Sequence, residues 1–197
     1  EKEIRPIEEI ISLFALENVN KAPAFFDLKK LEHVNSHYIG AMPTETFVDE
    51  VSEYINKIGW SPTNYDRSIV EALAPHLQQR ATRIPDVVPL LDWVFEDELP
   101  EETNEKEVLK ITKAMGADLV PEILEEAIRR LQDCDWDAET LSSEIREVGD
   151  ALNAKSQVPV RIAVTGRRTG LPLFEPMAYL SRELVLERLQ RARSNLG

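Results

Sequence analysis

Residues 44–59 read TETFVDEVSEYINKIG, and this stretch is the one that decides the fold class. Its apolar side chains recur every three or four residues, at Phe47, Val51, Tyr54, Ile55 and Ile58. That spacing places them on one face of an α-helix. Thr44 and Glu45 stand where a helix can begin, and Gly59 stands where helices commonly end. The stretch therefore predicts an amphipathic helix.

The same spacing recurs along most of the chain. Further stripes occupy residues 7–14, 69–84, 119–131 and 184–189. Pro75 interrupts the second of them and is expected to end or kink that helix, whereas Pro121 stands in a first turn, where proline is tolerated. The best strand candidate, 158–164, contains Pro159 and is short enough to be a buried helical turn. We therefore predict an all-α fold.

An acidic, proline-marked run, EDELPEETN at residues 96–104, indicates a joint between two parts of the chain. We predict two consecutive helical bundle subdomains, residues 1–98 and residues 99–197. Neither an internal repeat nor a low-complexity tract is evident.

Composition excludes several classes of protein. Cys134 is the only cysteine, so an internal disulfide or a multi-cysteine zinc site is impossible. No apolar run approaches the ~20 residues that a membrane-spanning helix needs, and the first residues lack the order of a secretory signal. With only 7 glycines, the chain also does not resemble a glycine-rich nucleotide-binding sheet domain. We expect a cytoplasmic protein with no membrane partner.

Two patterns resemble metal sites. His33 and His37 lie four residues apart on a predicted helix, but no third ligand is evident. A calcium-loop spacing is formed by Asp133, Asp135, Asp137 and Glu144. Ala138 stands where the sharp turn of such a loop requires glycine, so the alternative is a helix that begins at Ala138 with Asp137 as its cap. We predict no metal in this chain.

Catalytic groups are also scarce. Cys134 lies among carboxylates, which raise the pKa of a thiol and do not activate it. A serine elbow and a phosphate-binding loop with its lysine are both absent from the sequence. We therefore predict no catalytic residue in this chain, and we do not expect an enzyme complete in itself.

The charge of the chain is unevenly distributed. Its net charge is −13, and residues 91–150 hold 6 basic against 19 acidic groups. Residues 151–197 hold 8 basic against only 3 acidic groups. Such a basic segment is typical of a surface that faces a polyanion, and equally of a solvated basic face paired with the acidic middle.

Within the basic segment, Arg161, Arg167 and Arg168 surround a Thr165-Gly166 turn. Guanidinium groups bind phosphates and base edges, and glycine allows a close approach of the backbone. This turn is therefore the strongest candidate for a binding site.

Three segments resemble the C-terminal region of bacterial glutamyl-tRNA synthetases. They are FDLKKLEHVNSHYI at 26–39, LQQRATRIPDV at 77–87 and RIAVTGRRTGLPLFEPMAYLSRELVLERL at 161–189. They follow one another in the order of that family and span nearly the whole chain. The resemblance implies two helical domains, a helical cage that grips the anticodon stem and loop.

By position, the resemblance assigns Arg80 and Arg161 to contacts with anticodon bases, and Gly170, Leu171 and Leu173 to a loop whose backbone and side chains pack against those bases. Unpaired bases expose their edges and faces to such groups. With the basic turn, the predicted tRNA-binding set is Arg80, Arg161, Thr165, Gly166, Arg167, Arg168, Gly170, Leu171 and Leu173.

The resemblance also implies partners and cofactors. The implied partners are tRNA(Glu), bound through its anticodon arm, and the catalytic domain of the same glutamate–tRNA ligase. No DNA partner is expected. The family's two ATP-binding signatures are missing from this sequence, so no cofactor is expected here, and ATP and Mg are expected in the parent enzyme. The alternative is a helical protein-interaction domain, or a degenerate paralogue that no longer binds RNA.

Overall fold

Helices form the regular structure of this protein. The computed structural model describes residues 4–19, 25–99 and 101–196, with only the backbone for 101–105. In these ranges the α-helices are α1 Ile7–Leu13, α2 Leu28–Ala41, α3 Thr44–Ile58, α4 Arg67–Gln78, α5 Val88–Phe95, α6 Glu101–Met115, α7 Leu119–Leu131, α8 Ala138–Leu152, α9 Gln157–Thr165, α10 Phe174–Met177 and α11 Arg182–Ser194. Two short 3₁₀ turns are Leu16–Asn18 and Ile84–Val87. The described ranges contain no β-strand, and the all-α prediction is confirmed.

Capping residues explain where several helices begin and end. The carboxylates of Asp27, Asp66 and Asp137 accept hydrogen bonds from backbone N–H groups of the first turns of α2, α4 and α8. These bonds satisfy donors that have no partner within the helix. Gly59 and Gly166 end α3 and α9 with φ of 69° and 71°, a left-handed conformation that glycine adopts without steric cost. The predicted stop at Gly59 is thus confirmed.

Of the two predicted effects of Pro75, an end of the helix is excluded, because α4 continues through this residue to Gln78. Leu73, Ala74 and Leu77 are buried, whereas Pro75 lies on the exposed side of the helix. The carbonyl group that loses its N–H partner is that of Glu71, another exposed residue, so water can satisfy it. Burial of the opposite face therefore keeps the helix intact.

The apolar stripe at 69–84 also divides where one helix was expected. The chain leaves α4 after Gln78, and Ile84 begins a separate 3₁₀ turn. One carboxylate oxygen of Asp86 accepts from the backbone N–H groups of Thr82 and Arg83, at 3.1 and 2.8 Å. These bonds replace the helical hydrogen bonds that the two groups lack.

The strand candidate at 158–164 is part of α9, so the helical alternative is confirmed. Pro159 lies in the first turn of that helix, where its missing N–H has no intrahelical acceptor. Helices α6, α7, α8 and α11 all pack against α9. Val160, Ile162, Ala163 and Val164 are consequently fully buried, which is why the run is apolar throughout.

The helices pack in two sets. Helices α2 and α3 pack on α4, and the Ile84–Val87 turn packs on α3 and α5. In the second set α7 packs on α8 and α11, α6 packs on α9, and α10 packs on α8. Residues 96–99 separate α5 from α6, while Pro100 lies outside the described residues. Buried side chains of both sets form one connected core, and the division at 98/99 into subdomains stays a prediction.

Exposed apolar side chains are concentrated in α1, in the described residues that follow it and in the first turn of α2. We call this surface the N-terminal apolar face; its residues, exposed by 48% to 91%, are Ile7, Ile10, Ile11, Leu13, Phe14, Leu16, Val19, Phe25, Phe26, Leu28 and Leu31. Within the described ranges, none of the helices has the length and apolar character needed to span a bilayer.

Candidate nucleic-acid interface

Two arginines that are far apart in sequence meet at one loop, the segment 166–173 between α9 and α10. The Nε of Arg80 donates to the carbonyl oxygen of Gly170 at 2.7 Å. The Nη1 of Arg161 donates to the next carbonyl oxygen, that of Leu171, at 2.8 Å. The structure therefore brings together Arg80, Arg161 and the loop, which the sequence resemblance had assigned to a single site.

Local structure explains how these groups reach one another. Arg80 follows the end of α4 directly, and Arg161 projects from the middle of α9. Gly170 has a φ of 154°, a conformation that residues with a side chain rarely adopt. Glycine at this position therefore lets the loop turn its carbonyl oxygen towards Arg80.

The two guanidinium groups form a positive pair. Arg161 is half-buried, and this burial lowers the pKa of its guanidinium, as does the nearby charge of Arg80, while Glu175 opposes both effects. Arg80 itself is exposed; its Nη1 also donates to the carbonyl oxygen of His76 at 3.4 Å, and its Nη2 has no partner among the described residues. A site with two like charges held close together favours an anionic or electron-rich ligand.

Two predicted contacts need correction. The side chains of Leu171 and Leu173 are each 1% exposed, so in this conformation neither can pack against a base. Both belong to the hydrophobic core beneath the loop. Arg168 and Thr169, which are exposed, and Gly170 and Pro172, which are half-buried, are the parts of the loop that a ligand can reach.

Thr165 and Gly166 shape the turn from inside. Thr165 is buried, and its hydroxyl group donates to the carbonyl oxygen of Arg161 at 2.8 Å and accepts from the backbone N–H of Arg167 at 3.1 Å. Gly166, also buried, ends α9 with its left-handed φ. These two residues fix the direction in which the loop leaves the helix, and their polar groups are not free for a ligand.

Arg167 and Arg168 are neighbours in sequence but have different environments. The guanidinium of Arg167 forms a two-pronged ion pair with the carboxylate of Asp92, in which Nη1 lies 2.6 Å from Oδ1, and it also donates to the carbonyl of Pro89 at 2.5 Å. Arg167 thus ties the loop to α5. Arg168 is exposed and has no hydrogen-bond or ion-pair partner in the described part of the chain.

Arg188 is an interior residue that the sequence did not single out. It is 3% exposed, and its guanidinium donates to the carbonyl oxygens of Trp93 at 2.8 Å, Val164 at 2.9 Å and Glu96 at 2.5 Å. Burial lowers the pKa of Arg188 to about 10. Arg188, which belongs to α11, therefore joins α5 to α9 beneath the loop, and Arg167 joins the loop to α5.

The sequence of the last helix does indicate that Arg188 is buried. Arg188 is three residues after Val185 and directly before Leu189, and both of these are buried. An arginine within the apolar stripe of a helix must carry its charge into the protein and find acceptors there.

The other arginines of α11 also have partners within the chain. Arg182 donates to the carbonyl oxygens of Gln132 and, at 2.6 Å, of Cys134, and its guanidinium lies 5.2 Å from the centre of the Trp136 ring. Arg191 and Arg193 form ion pairs with Glu187 at 3.0 Å and Glu125 at 2.9 Å. The basic character of this helix is therefore taken up by packing and by surface pairs.

The metal-like patterns form no ligand cluster. His33 and His37 are both exposed, and no group of three or more His, Cys, Asp or Glu side chains suited to a metal ion occurs among the described residues. Asp137 caps α8, accepting from the N–H groups of Glu139 and Thr140 at 3.0 Å, which confirms the helix-start interpretation. Burial raises the pKa of the Cys134 thiol, with smaller contributions from the charges of Glu144 and Asp135, while the charge of Arg182 lowers it.

Comparisons with known proteins identify the family and the fold of this chain. The family profile described as anticodon binding domain matches residues 46–193. The whole chain aligns with glutamate–tRNA ligases of Thermobifida fusca (39% identity over 203 residues) and Frankia casuarinae (38% over 202), covering 42% of the length of each. The chain thus spans about two fifths of these relatives.

Solved structures show the same fold. The glutamate tRNA ligase of Elizabethkingia meningosepticum, crystallised with its amino acid, superposes with a TM-score of 0.76 at 19% identity, over 100% of this chain and 38% of that one. The enzyme of Elizabethkingia anophelis gives 0.71 at 20% identity, over 98% and 37%. The resemblance inferred from the sequence is confirmed, and the chain belongs to the anticodon binding domain family.

Proposed function

We propose that this chain is the anticodon-binding part of a glutamate–tRNA ligase of the cytoplasm. It binds the anticodon arm of tRNA(Glu), while a catalytic part outside the chain joins glutamate to the acceptor end. The observation that supports this most directly is the placement of Arg80 and Arg161 on consecutive carbonyl groups of one loop, with both guanidinium groups at the surface or close to it.

The geometry suits recognition of unpaired bases. Each arginine uses one N–H group to hold the loop, Arg80 uses a second on the carbonyl of His76, and both keep further N–H groups for a ligand. A guanidinium whose position is fixed in this way can donate to a base edge or stack on a base face. Arg168, which is exposed, supplies a further positive charge for the phosphate backbone.

The remaining predicted residues support the site and do not contact RNA in this proposal. Thr165, Gly166 and Arg167 set the path of the loop, and Leu171 and Leu173 anchor it in the core. Anticodon binding then contributes to specificity, because a tRNA with the wrong bases loses hydrogen bonds that buried or anchored donors require.

The N-terminal apolar face supports the catalytic part of the same enzyme as a partner. A concentration of exposed large apolar side chains favours a contact with another protein surface. The matched ligases are more than twice as long as this chain, so they contain a further part that can cover such a face. We propose that ATP and Mg bind in that part, since the described residues offer no cluster of metal ligands.

Direct binding measurements test the proposal. The chain is titrated with tRNA(Glu), and with a transcript whose anticodon is changed, at two salt concentrations. We expect affinity to fall with salt and with the changed anticodon, and Arg80→Ala to weaken binding to tRNA(Glu) by about tenfold or more. Arg80→Ala should also reduce the discrimination between the two transcripts.

The matched control is Arg191→Ala, which removes the same charge from an exposed, ion-paired residue of α11. It should leave both affinities within about twofold of the wild-type values. Binding that is weak, independent of the anticodon and unaffected by Arg80→Ala would contradict the proposal and favour a protein-interaction domain.

A further inference from the structure

Several basic residues of the second helix set have no carboxylate partner among the described residues, and two of them line one cavity. Five of its arginines form ion pairs with carboxylates: Arg129, Arg130, Arg167, Arg191 and Arg193. Arg146 and Lys155 are exposed and form no ion pair with any residue that the structure describes. Within the described ranges, the Arg146 guanidinium donates a single hydrogen bond, a long one of 3.3 Å to the hydroxyl of Ser143.

Arg146 and Lys155 line the same cavity. This cavity, of about 380 Å³, lies between α8 and the first turn of α9, and Phe174 forms part of its wall together with Val158. We call it the α8–α9 cleft. Phe174 is half-buried, so it presents part of its ring to the cleft and packs the rest against the core.

The cleft adjoins the candidate interface along the chain. Phe174 directly follows Leu173, the last residue of the loop that Arg80 and Arg161 hold. The residue that closes the loop is thus followed directly by the aromatic wall of the cleft. On a chain with a net charge of −13, two exposed cations in one cleft favour a ligand that brings negative charge.

The chemistry of the cleft fits a single nucleotide. An aromatic face stacks on a base, and neighbouring Lys and Arg side chains bind the phosphate groups on either side of it. Its volume is in the range of a small-molecule site. Ser156, at the start of α9, uses its hydroxyl group on the carbonyl of Ile145 at 2.5 Å, which fixes the wall of the cleft.

Acidic residues limit how far RNA can extend. Asp150 lines the cleft beside Arg146, and a wider groove of about 730 Å³, which Arg146 and Phe174 also border, continues past Glu139, Glu144 and Glu175. These three carboxylates disfavour phosphate in the groove. Lys155 lines the cleft and not the groove, so the side of the cleft next to Lys155 is the better place for a phosphate.

We propose that Arg146, Lys155 and Phe174 form a second RNA contact, in which the α8–α9 cleft takes one unpaired nucleotide beside the anticodon bases. This inference rests on the proposed function and adds to it three residues that neither the resemblance nor the comparisons assign. The contact reads backbone charge and base stacking, so it adds affinity without selecting the anticodon sequence.

The charge contribution is tested with the double substitution Arg146→Gln and Lys155→Gln. Binding of the 197-residue chain to a hairpin of the tRNA(Glu) anticodon arm is measured from low to moderate salt. We expect the slope of log affinity against log salt to fall by about 1.4, that is, about 0.7 for each lost phosphate contact with a single strand. The ratio of affinities for the original and the changed anticodon should stay the same.

The matched control is Lys110→Gln with Lys113→Gln, which changes the net charge equally. Both lysines lie on α6, a helix that contributes no residue to the cleft. An equal loss of salt dependence in this control would show a general charge effect and would overturn the assignment.

The aromatic contribution is tested with Phe174→Leu and Phe174→Tyr. Leucine keeps apolar packing but removes the stacking face, and should weaken hairpin binding by about tenfold, whereas tyrosine should keep it near the wild-type level. A fully paired RNA duplex offers no unpaired nucleotide, so the two variants should bind it equally. Thermal melting of each variant verifies that both are folded.

The outcomes separate the two proposals. If the cleft variants bind like the wild type while Arg80→Ala loses anticodon discrimination, the cleft assignment is overturned and the proposed function stands. If the wild type binds RNA without regard to the anticodon but the cleft variants weaken that binding, the cleft assignment stands and the proposed function fails. If the wild-type chain binds no RNA, both are overturned.

Discussion

The loop at 166–173 and the helix α11 are both rich in arginine, yet they use that charge in different ways. In α11 every arginine has a partner within the chain, either backbone carbonyl groups or a carboxylate. At the loop, Arg80 and Arg161 hold carbonyl groups with part of each guanidinium, and Arg168 has no partner among the described residues.

The comparison shows that the partners of a basic segment, more than its total charge, determine whether the segment can bind RNA. Carbonyl groups and carboxylates within the protein compete with RNA for the same donors. A guanidinium that is fully engaged inside contributes to folding, whereas one that is partly engaged and exposed remains available to a ligand. The predictions below separate these two uses, beginning with the largest expected effect.

Arg188→Met should have the largest effect on stability. The substitution leaves the buried carbonyl oxygens of Trp93, Val164 and Glu96 without their donor, and each such loss is costly away from water. We expect the free energy of unfolding to fall by about 3 kcal/mol or more, measured by urea denaturation. Arg191→Met, on the exposed side of the same helix, should cost less than about 1 kcal/mol. Equal effects of the two substitutions would remove the distinction between interior and surface arginines.

The ion pair between Asp92 and Arg167 should show an intermediate effect. Its side chains are 20% and 33% exposed, and it connects α5 to the loop. A double-mutant cycle with Asp92→Asn and Arg167→Gln should give a coupling energy of about 1–2 kcal/mol in unfolding experiments. The exposed pair of Arg193 with Glu125 is the control, and should give less than about 0.5 kcal/mol. Coupling as weak as the control would show that the pair does not hold the loop.

A third prediction concerns acid stability. A hydrogen bond from Arg129, with support from Arg130, lowers the pKa of Glu126 to about 2. A carboxylate with a depressed pKa adds stability above its unfolded value of about 4.5, and loses it as the pH falls through the folded value. Unfolding between pH 5 and pH 2 should therefore be less pH-dependent for Glu126→Gln than for the wild type. This pair is near the surface, so the difference should stay under about 1 kcal/mol, and identical pH profiles would contradict the interaction.

Arg168→Gln should have the smallest effect on folding. With no partner in the described part of the chain, its loss should change the free energy of unfolding by less than about 0.5 kcal/mol. The salt slope of RNA binding should nevertheless fall by about 0.7, which is one phosphate contact. A marked loss of stability together with an unchanged slope would place Arg168 with the interior arginines.

Much of the fold follows from the sequence because helical spacing and capping act locally. The helices at 44–58 and 119–131 and the cap at Asp137 are where the sequence predicts them. Whether α4 would end at Pro75 or continue through it could not be decided, since this depends on which side of that helix the protein covers. For the same reason Ile58, which belongs to the predicted apolar stripe, is 47% exposed.

The candidate site, like the fold, could be predicted from the sequence only in part. Arg80, Arg161 and the loop could be assigned together from the resemblance, and they do meet. The burial of Leu171 and Leu173 could not be foreseen, because an apolar residue in a loop is covered or exposed according to tertiary packing. Arg188 shows the converse, since its position in an apolar stripe indicates burial but does not identify the carbonyl groups that receive it.

The two anchored leucines have a consequence for kinetics. Leu171 and Leu173 hold the loop in place before any RNA arrives, so little backbone entropy remains to be lost on association. Complex formation should then be a single-exponential process limited by diffusion and charge steering, without a slower rearrangement step. Differences in affinity between tRNAs would accordingly appear in how long each complex lasts and not in how fast it forms.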